Sequence, residues 1–134
     1  MKRIEKVLSG NNELYIVEYS DCKESEMIDL VKEVGKMVIA GGKSVCILSI
    51  YNDRSYATAK FMRQVEKETR DALPLIKKQA IVGLNDSKKM ILKGYNFLFR
   101  KNIQAFDTKE DAFNFLIDES TSDSSDFWNP VGKL

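Results

Sequence analysis

The chain has 134 residues, and its 21 Lys and Arg residues balance 20 Asp and Glu residues to a net charge of +1. This length suits one domain, and the near-neutral charge argues against a nucleic-acid-binding domain, which would be strongly basic. Histidine is absent and there are only two cysteines, Cys22 and Cys46. The residues most used for acid–base catalysis and for metal binding are therefore scarce. Composition predicts a domain that is not an enzyme and holds no metal or cofactor.

Neither a membrane span nor a signal peptide is expected. No apolar run approaches the roughly 20 residues that cross a bilayer, and the basic start, residues 1–6, is not followed by an apolar stretch. We therefore expect a cytoplasmic protein with reduced thiols. Cys46 lies within an apolar run, which favours a small buried side chain over a redox group.

Two segments rich in β-forming residues open the chain. Residues 4–8 and 14–19 flank the sequence Ser-Gly-Asn-Asn, which predicts an antiparallel hairpin. An amphipathic helix follows, with Asp21 or Ser25 as its N-cap and two glycines, residues 41–42, after it. Its predicted inward residues are Met27, Leu30, Val31, Val34 and Val38. The apolar run at residues 44–51 then predicts a central strand covered on both faces.

The second half of the chain alternates helices and strands. A second helix is predicted over residues 56–72, before Pro74, and short strands at residues 80–84 and 103–106. Asp86 is the predicted N-cap of a third helix, and Thr108 begins a capping box for a fourth. The predicted inward residues of the third helix are Met90, Ile91, Tyr95, Leu98 and Phe99. Those of the fourth are Ala112, Phe113, Leu116 and Ile117.

The resulting order is β-β-α-β-α-β-α-β-α. It predicts an α/β domain with a mostly parallel sheet, an antiparallel N-terminal hairpin and helices packed on the sheet. This domain should span residues 1–118. Residues 119–134 are predicted to be a flexible tail, because its first eight residues are acidic, serine-rich and without an apolar side chain. The last eight, residues 127–134, are apolar enough to dock or to support a homodimer.

Two segments resemble those of the STAS domains. They are residues 80–84 (Ala-Ile-Val-Gly-Leu) running into residues 88–91 (Lys-Lys-Met-Ile), and residues 106–112 (Phe-Asp-Thr-Lys-Glu-Asp-Ala) with residues 115–116. The STAS superfamily includes anti-sigma-factor antagonists and the cytoplasmic tails of anion transporters. The likeness is to a small bacterial branch grouped with CRAL-TRIO-like lipid carriers, and it spans roughly residues 1–118. The resemblance implies a STAS-like fold and a regulatory, protein-interaction module.

The resemblance also implies a site in residues 52–58, Asn-Asp-Arg-Ser-Tyr-Ala-Thr. In the antagonists, a partner kinase phosphorylates a serine in an Asp-Ser-Ser-Gly-like turn at the start of the second helix. Here Arg54 intervenes and the glycine is missing. The segment follows a central strand, where α/β sheets bind ligands. The candidate switch or binding loop is Asn52, Asp53, Ser55 and Thr58. The alternative is that these residues only cap the second helix.

A second candidate surface is basic. Between residues 77 and 101, seven Lys and Arg residues accompany one acid, Asp86. On the third helix, Lys89, Lys93 and Arg100 share a polar side with Asn96 and form a candidate anion-binding stripe. The alternative is the solvated side of an amphipathic helix. Two hypotheses follow: a non-catalytic interaction module with a protein partner, or a protein that binds a small anionic molecule or lipid through the third helix.

Overall fold

The computed structural model describes residues 3–55 and 58–118. Within these residues the chain forms five strands and four α-helices. The strands are β1 (Ile4–Ser9), β2 (Asn12–Glu18), β3 (Val45–Ile50), β4 (Ile76–Val82) and β5 (Gln104–Phe106). The helices are α1 (Glu24–Gly41), α2 (Ala59–Thr69), α3 (Asp86–Phe99) and α4 (Lys109–Ile117), with a 3₁₀ turn at Leu73–Leu75.

The strands form one sheet in the order β1-β2-β3-β4-β5. β1 and β2 pair antiparallel, and the three remaining pairings are parallel. Ser9 pairs with Asn12, so the hairpin closes on a two-residue turn in which Gly10 has a φ of 61°. Each parallel connection carries a helix, because a tight turn cannot join parallel strands. The α/β fold predicted from the order of elements is confirmed.

Both faces of the sheet are covered, but unequally. Val45 and Ile47 of β3 face a core that contains residues of α1, α2 and α3. Cys46 and Leu48, on the opposite face, pack in a smaller core with residues of α4, including Leu116. The prediction that β3 is a central strand with Cys46 as a buried side chain is therefore confirmed. Three helices lie on one face of the sheet and α4 on the other.

The N-caps of two helices differ from the predictions. At the start of α1, the Lys23 N–H donates to Glu26 Oε1 at 2.7 Å, and neither Asp21 nor Ser25 caps the helix. Asp21 has a φ of 60°, outside the extended region that an N-cap adopts. α3 is capped by Asn85, whose side chain accepts from the Lys88 N–H at 2.9 Å. The predicted cap, Asp86, is already the first helical residue.

α3 places three of its five predicted inward residues against the core, namely Ile91, Tyr95 and Phe99. Leu92 and Tyr95 are its buried residues, whereas Met90 and Leu98 are 68% and 70% exposed. Apolar residues lie on more than one side of this helix, so their spacing alone selects no single inward face. Packing against α2 and the sheet selects the side that carries Tyr95.

The remaining boundaries differ more modestly. α2 spans only Ala59–Thr69, shorter than predicted, and the predicted first residue, Tyr56, lies outside the described residues. β4 begins earlier than predicted, at Ile76. Thr108 caps α4 as predicted, since its Oγ1 accepts from the Asp111 N–H at 3.1 Å. The predicted tail, residues 119–134, lies outside the described residues. Within the described ranges no helix is long and apolar enough to span a membrane.

Candidate functional site

The loops that follow β3 and β4 lie side by side at the carboxyl end of the sheet. The Tyr51 N–H donates to Val82 O at 2.8 Å, which joins the ends of the two strands. Gly83 follows with a φ of +98°, and a Cβ atom there would overlap the carbonyl oxygen of Tyr51. Only glycine tolerates so close an approach in this conformation. The contact places the loop that contains Ser55 beside the loop that starts α3.

Asn52 is the centre of a hydrogen-bond network in the first of these loops. Its Oδ1 accepts from the backbone N–H groups of Asp21 and Arg54, each at 3.1 Å, and its Nδ2 donates to Asp21 Oδ1 at 3.0 Å. The Arg54 guanidinium also lies 3.5 Å from Asp21 Oδ1. The loop is therefore tied to the connection between β2 and α1.

Ser55 is buried in this network, with only 3% of its surface exposed. Its Oγ donates to Tyr19 O at 2.9 Å and accepts from the Asn52 N–H at 3.0 Å. The hydroxyl group thus supports the loop from the inside. A modifying enzyme would reach it only after the loop opens.

The rings of Tyr19 and Tyr51 lie beneath the loop, 5.2 Å apart between centroids. Burial, more than any neighbouring group, raises the pKa of both phenols, so both are neutral near pH 7. Burial likewise raises the pKa of the nearby Cys22 thiol, and this effect exceeds the opposing effect of Arg3. A protonated thiol is a poor nucleophile. The groups beneath the loop therefore keep their protons near pH 7.

An open cleft of about 390 Å³ separates the loop from the start of α3. Its lining includes Arg54 and Lys88 as cations and Ile91 as an apolar side chain. Lys88 Nζ donates to the carbonyl oxygens of Asp53 at 2.9 Å and Asn52 at 3.4 Å. A lysine has three N–H donors, so these two bonds hold the ammonium group in place and leave one donor for a ligand.

Three of the four predicted loop residues share this cleft. Asp53, Ser55 and Thr58 line it. Asn52 is not part of the lining, but its side chain holds the loop through hydrogen bonds. Thr58 is also the N-cap of α2, because its Oγ1 accepts from the Phe61 N–H at 3.1 Å. Of the predicted loop residues, Thr58 therefore caps the second helix, as the alternative interpretation predicted.

Four lining residues were not predicted as part of this site, namely Asn85, Ser87, Lys88 and Ile91. They lie at the N-cap and in the first turns of α3, the helix that follows β4, the strand parallel to β3. The carboxyl ends of adjacent parallel strands meet at one edge. That rule would have placed these residues beside the predicted loop.

The side chains on the polar side of α3, where the anion-binding stripe was predicted, contact different parts of the chain. Lys89 Nζ lies 3.1 Å from Asp107 Oδ1, so this cation is paired. The Asn96 side chain exchanges hydrogen bonds with the backbone of Ile103, which holds the start of β5. Lys93 is exposed, and Arg100 is the C-cap with a φ of 56°. Anion binding by Lys89, Lys93 and Arg100 stays a prediction.

The described residues contain no group of three or more Cys, Asp or Glu side chains placed to hold a metal ion. No family model matches the chain. No curated protein matches it either.

A solved structure is similar to the chain over most of both lengths. It is that of an uncharacterized protein from the DUF3478 family with a SpoIIAA-like fold, from Shewanella loihica PV-4. The match covers 84% of this chain and 91% of that chain at 14% sequence identity, with a TM-score of 0.51. The SpoIIAA-like fold is the fold of the anti-sigma-factor antagonists. The predicted resemblance is confirmed at the level of the fold: this chain has a STAS fold.

Proposed function

We propose that the chain is a non-catalytic regulatory module of STAS type that binds a protein partner at the carboxyl end of its sheet. The observation that carries this proposal is the open cleft of about 390 Å³ between the Asn52–Ser55 loop and α3. Concave surfaces that combine an apolar patch with a few placed polar groups are the usual sites of small ligands, and one inserted side chain of a partner is a group of that size.

The charges of the cleft indicate the chemistry of the partner. Lys88 is held by two backbone carbonyl groups, and the Arg54 side chain is 81% exposed at the rim. A partner that inserts an acidic side chain would meet a fixed ammonium group and an exposed guanidinium group, two cations against the single carboxylate of the lining, Asp53. Ile91 would contact the aliphatic part of the inserted side chain. Such binding should weaken as salt is added, because part of it is electrostatic.

In this proposal Ser55 regulates the surface through the loop that it supports. A phosphate on Ser55 would replace the hydrogen bonds of its Oγ with Tyr19 and Asn52. It would also add about two negative charges beside Lys88. The loop would then leave its present conformation, and the cleft would lose its attraction for an acidic partner.

Affinity capture with a charge-reversed cleft tests the proposal. Tagged wild-type protein, Lys88→Glu and Ser55→Asp would be incubated with extract of the source organism, and retained proteins quantified by mass spectrometry. Lys36→Glu, at an exposed position on α1, is the matched control. We expect at least one protein that wild type and Lys36→Glu retain and that Lys88→Glu and Ser55→Asp lose. Equal retention by all four variants, or no retained protein, would overturn the proposal.

A further inference from the structure

The outward side of α2 carries positive charge. Every exposed charged residue within this helix is a cation, namely Lys60, Arg63 and Lys67. They occupy positions i, i+3 and i+7, so they lie on one side of the helix. The two acids of the helix, Glu66 and Glu68, are half-buried and bind side chains one turn away, at 2.8 Å and 2.9 Å. Their charges therefore do not offset the basic side of α2.

The neighbouring helix, α3, adds an apolar ridge formed by Met90, Phe97 and Leu98. These side chains are 68%, 84% and 70% exposed. Their positions i, i+7 and i+8 place them on one side of the helix, and Lys93, one turn before Phe97, is exposed beside them. The ridge adjoins the basic side of α2, because Leu98 and Arg63 line the same groove between the two helices. Apolar and cationic side chains thus share one surface.

We propose that this surface of α2 and α3 binds a bilayer that contains anionic lipids. Lysine and arginine side chains near an anionic bilayer are attracted to its headgroups. Met90, Phe97 and Leu98 would enter the boundary between headgroups and acyl chains, to a depth of about 5–10 Å, as the apolar side of an interfacial helix does. The surface is separate from the Lys88 cleft, and the proposal does not depend on the proposed function.

The directions of the exposed side chains favour a flat partner. Phe97 and Leu98 are consecutive residues, so their side chains diverge by about 100° around the helix. Leu98 lines the groove between α2 and α3, and Phe97 does not. A peptide seated in the groove would cover Leu98 and leave Phe97 in water. A bilayer laid across both helices would contact Phe97, Leu98 and Arg63 together.

Charge disfavours a second copy of the chain as the partner. A symmetric dimer through this surface would set Lys60, Arg63 and Lys67 of one copy against the same residues of the other, and facing like charges oppose association. Within α2 and α3, all of whose residues the structure describes, Asp86 is the one exposed acid. It lies about three turns from Phe97, at the other end of α3. Negative charge must therefore come from the partner, and an anionic bilayer supplies it.

Sedimentation with vesicles tests the proposal. The full chain would be mixed with vesicles of phosphatidylcholine alone or of phosphatidylcholine with phosphatidylglycerol, at low and at high salt. Phe97→Ser changes the apolar ridge, and Arg63→Glu reverses a charge on α2. Ile39→Ser and Lys36→Glu, at exposed positions on α1, are the matched controls. Circular dichroism would establish that each variant is folded.

We expect wild type and both controls to sediment with the vesicles that contain phosphatidylglycerol and not with phosphatidylcholine alone. Added salt should weaken the binding, because part of it is electrostatic. Phe97→Ser and Arg63→Glu should each lower the partition coefficient about tenfold or more, since one loses apolar burial and the other changes attraction to repulsion.

Three results would overturn the proposal. The first is that no protein sediments with the anionic vesicles, or that all five proteins sediment equally. The second is a dimer of the lipid-free wild-type chain that Phe97→Ser dissociates, because the partner would then be a second copy. The third is affinity capture of a protein that Phe97→Ser and Arg63→Glu lose, without any vesicle binding, because the surface would then serve a protein partner.

Discussion

The Asn52–Ser55 loop and the basic stripe of α3 differ in how their residues are held. Residues of the loop bind one another and Lys88, so they form one ordered unit. Residues of the stripe bind separate parts of the chain, as Lys89 does with Asp107 and Asn96 with Ile103. The difference shows that side chains at the ends of adjacent parallel strands contact one another. Side chains on one side of a helix share a direction, but they need not contact one another. We therefore expect substitutions in the loop to cost more stability than substitutions in the stripe.

The largest effect is expected at Gly83, which brings the two loops together. Gly83→Ala would place a methyl group on the Tyr51 carbonyl oxygen at a positive φ. We expect the free energy of unfolding to fall by about 3 kcal/mol or more, measured by urea denaturation. Gly94→Ala is the control, because a Cβ atom at Gly94 meets nothing within 4 Å. It should stabilise α3 by up to about 1 kcal/mol. Equal stability of the two variants would show that the close approach at Gly83 is wrong.

The loop and the stripe are compared directly by Asn52→Ala and Lys93→Ala. Asn52→Ala removes the side-chain hydrogen bonds with Asp21, Arg54 and Ser55. The free energy of unfolding should fall by about 1.5 kcal/mol, because several hydrogen bonds are lost together and each contributes modestly where water can replace it. Lys93 is exposed, and its replacement should change stability by less than about 0.5 kcal/mol. The comparison fails if the two variants unfold at the same urea concentration.

A smaller effect should appear on the buried side of α3 at alkaline pH. Burial, with a further contribution from Glu66, raises the pKa of Tyr95 to about 12. The unfolded chain releases this proton near pH 10. The stabilisation is therefore complete below pH 10 and is lost as pH rises toward 12, by about 1 kcal/mol at pH 11.

Urea denaturation of wild type and Tyr95→Phe at pH 8 and pH 11 measures this loss. Tyr95→Phe should lose less stability than wild type over that interval. A remaining loss is expected, since burial also raises the pKa values of Tyr19 and Tyr51. An identical loss in both proteins would mean that Tyr95 is accessible to water.

The smallest effect concerns the ion pair of the stripe. Lys89 and Asp107 meet at 3.1 Å, but the Asp107 side chain is 85% exposed. A double-mutant cycle with Lys89→Ala and Asp107→Ala should give a coupling energy below about 1 kcal/mol, and salt should reduce it. A larger, salt-independent coupling would show that the stripe is as firmly ordered as the loop.

Sequence patterns predicted the parts of the fold that local chemistry decides. The apolar run around Cys46 identified a strand buried on both faces, and Thr108 identified the start of α4. The inward face of α3 was wrong for Met90 and Leu98, because apolar residues lie on several sides of that helix. The contacts of α3 with α2 and the sheet determine which of these sides is buried.

Local patterns also predicted only part of the candidate site, because some of its contacts join distant parts of the chain. The position of the loop follows from the strand before it, and Asp53, Ser55 and Thr58 do line one cleft. The burial of Ser55 depends on the carbonyl oxygen of Tyr19, 36 residues earlier in the chain. No local pattern reveals a hydrogen bond between residues so far apart. Lys88 was recognised as basic, but its contact with Asp53 arises only from the packing of β3 beside β4.

Chemical-shift mapping by NMR tests the proposed interaction surface most directly. Amide signals of the isotopically labelled full chain would be followed while a protein recovered by affinity capture is added. The account predicts that the largest shifts fall at Asn52–Ser55 and Asn85–Ile91, and that Lys88→Glu weakens binding at least tenfold, about 1.4 kcal/mol. Shifts confined to α1 or β1, with unchanged affinity of Lys88→Glu, would contradict it.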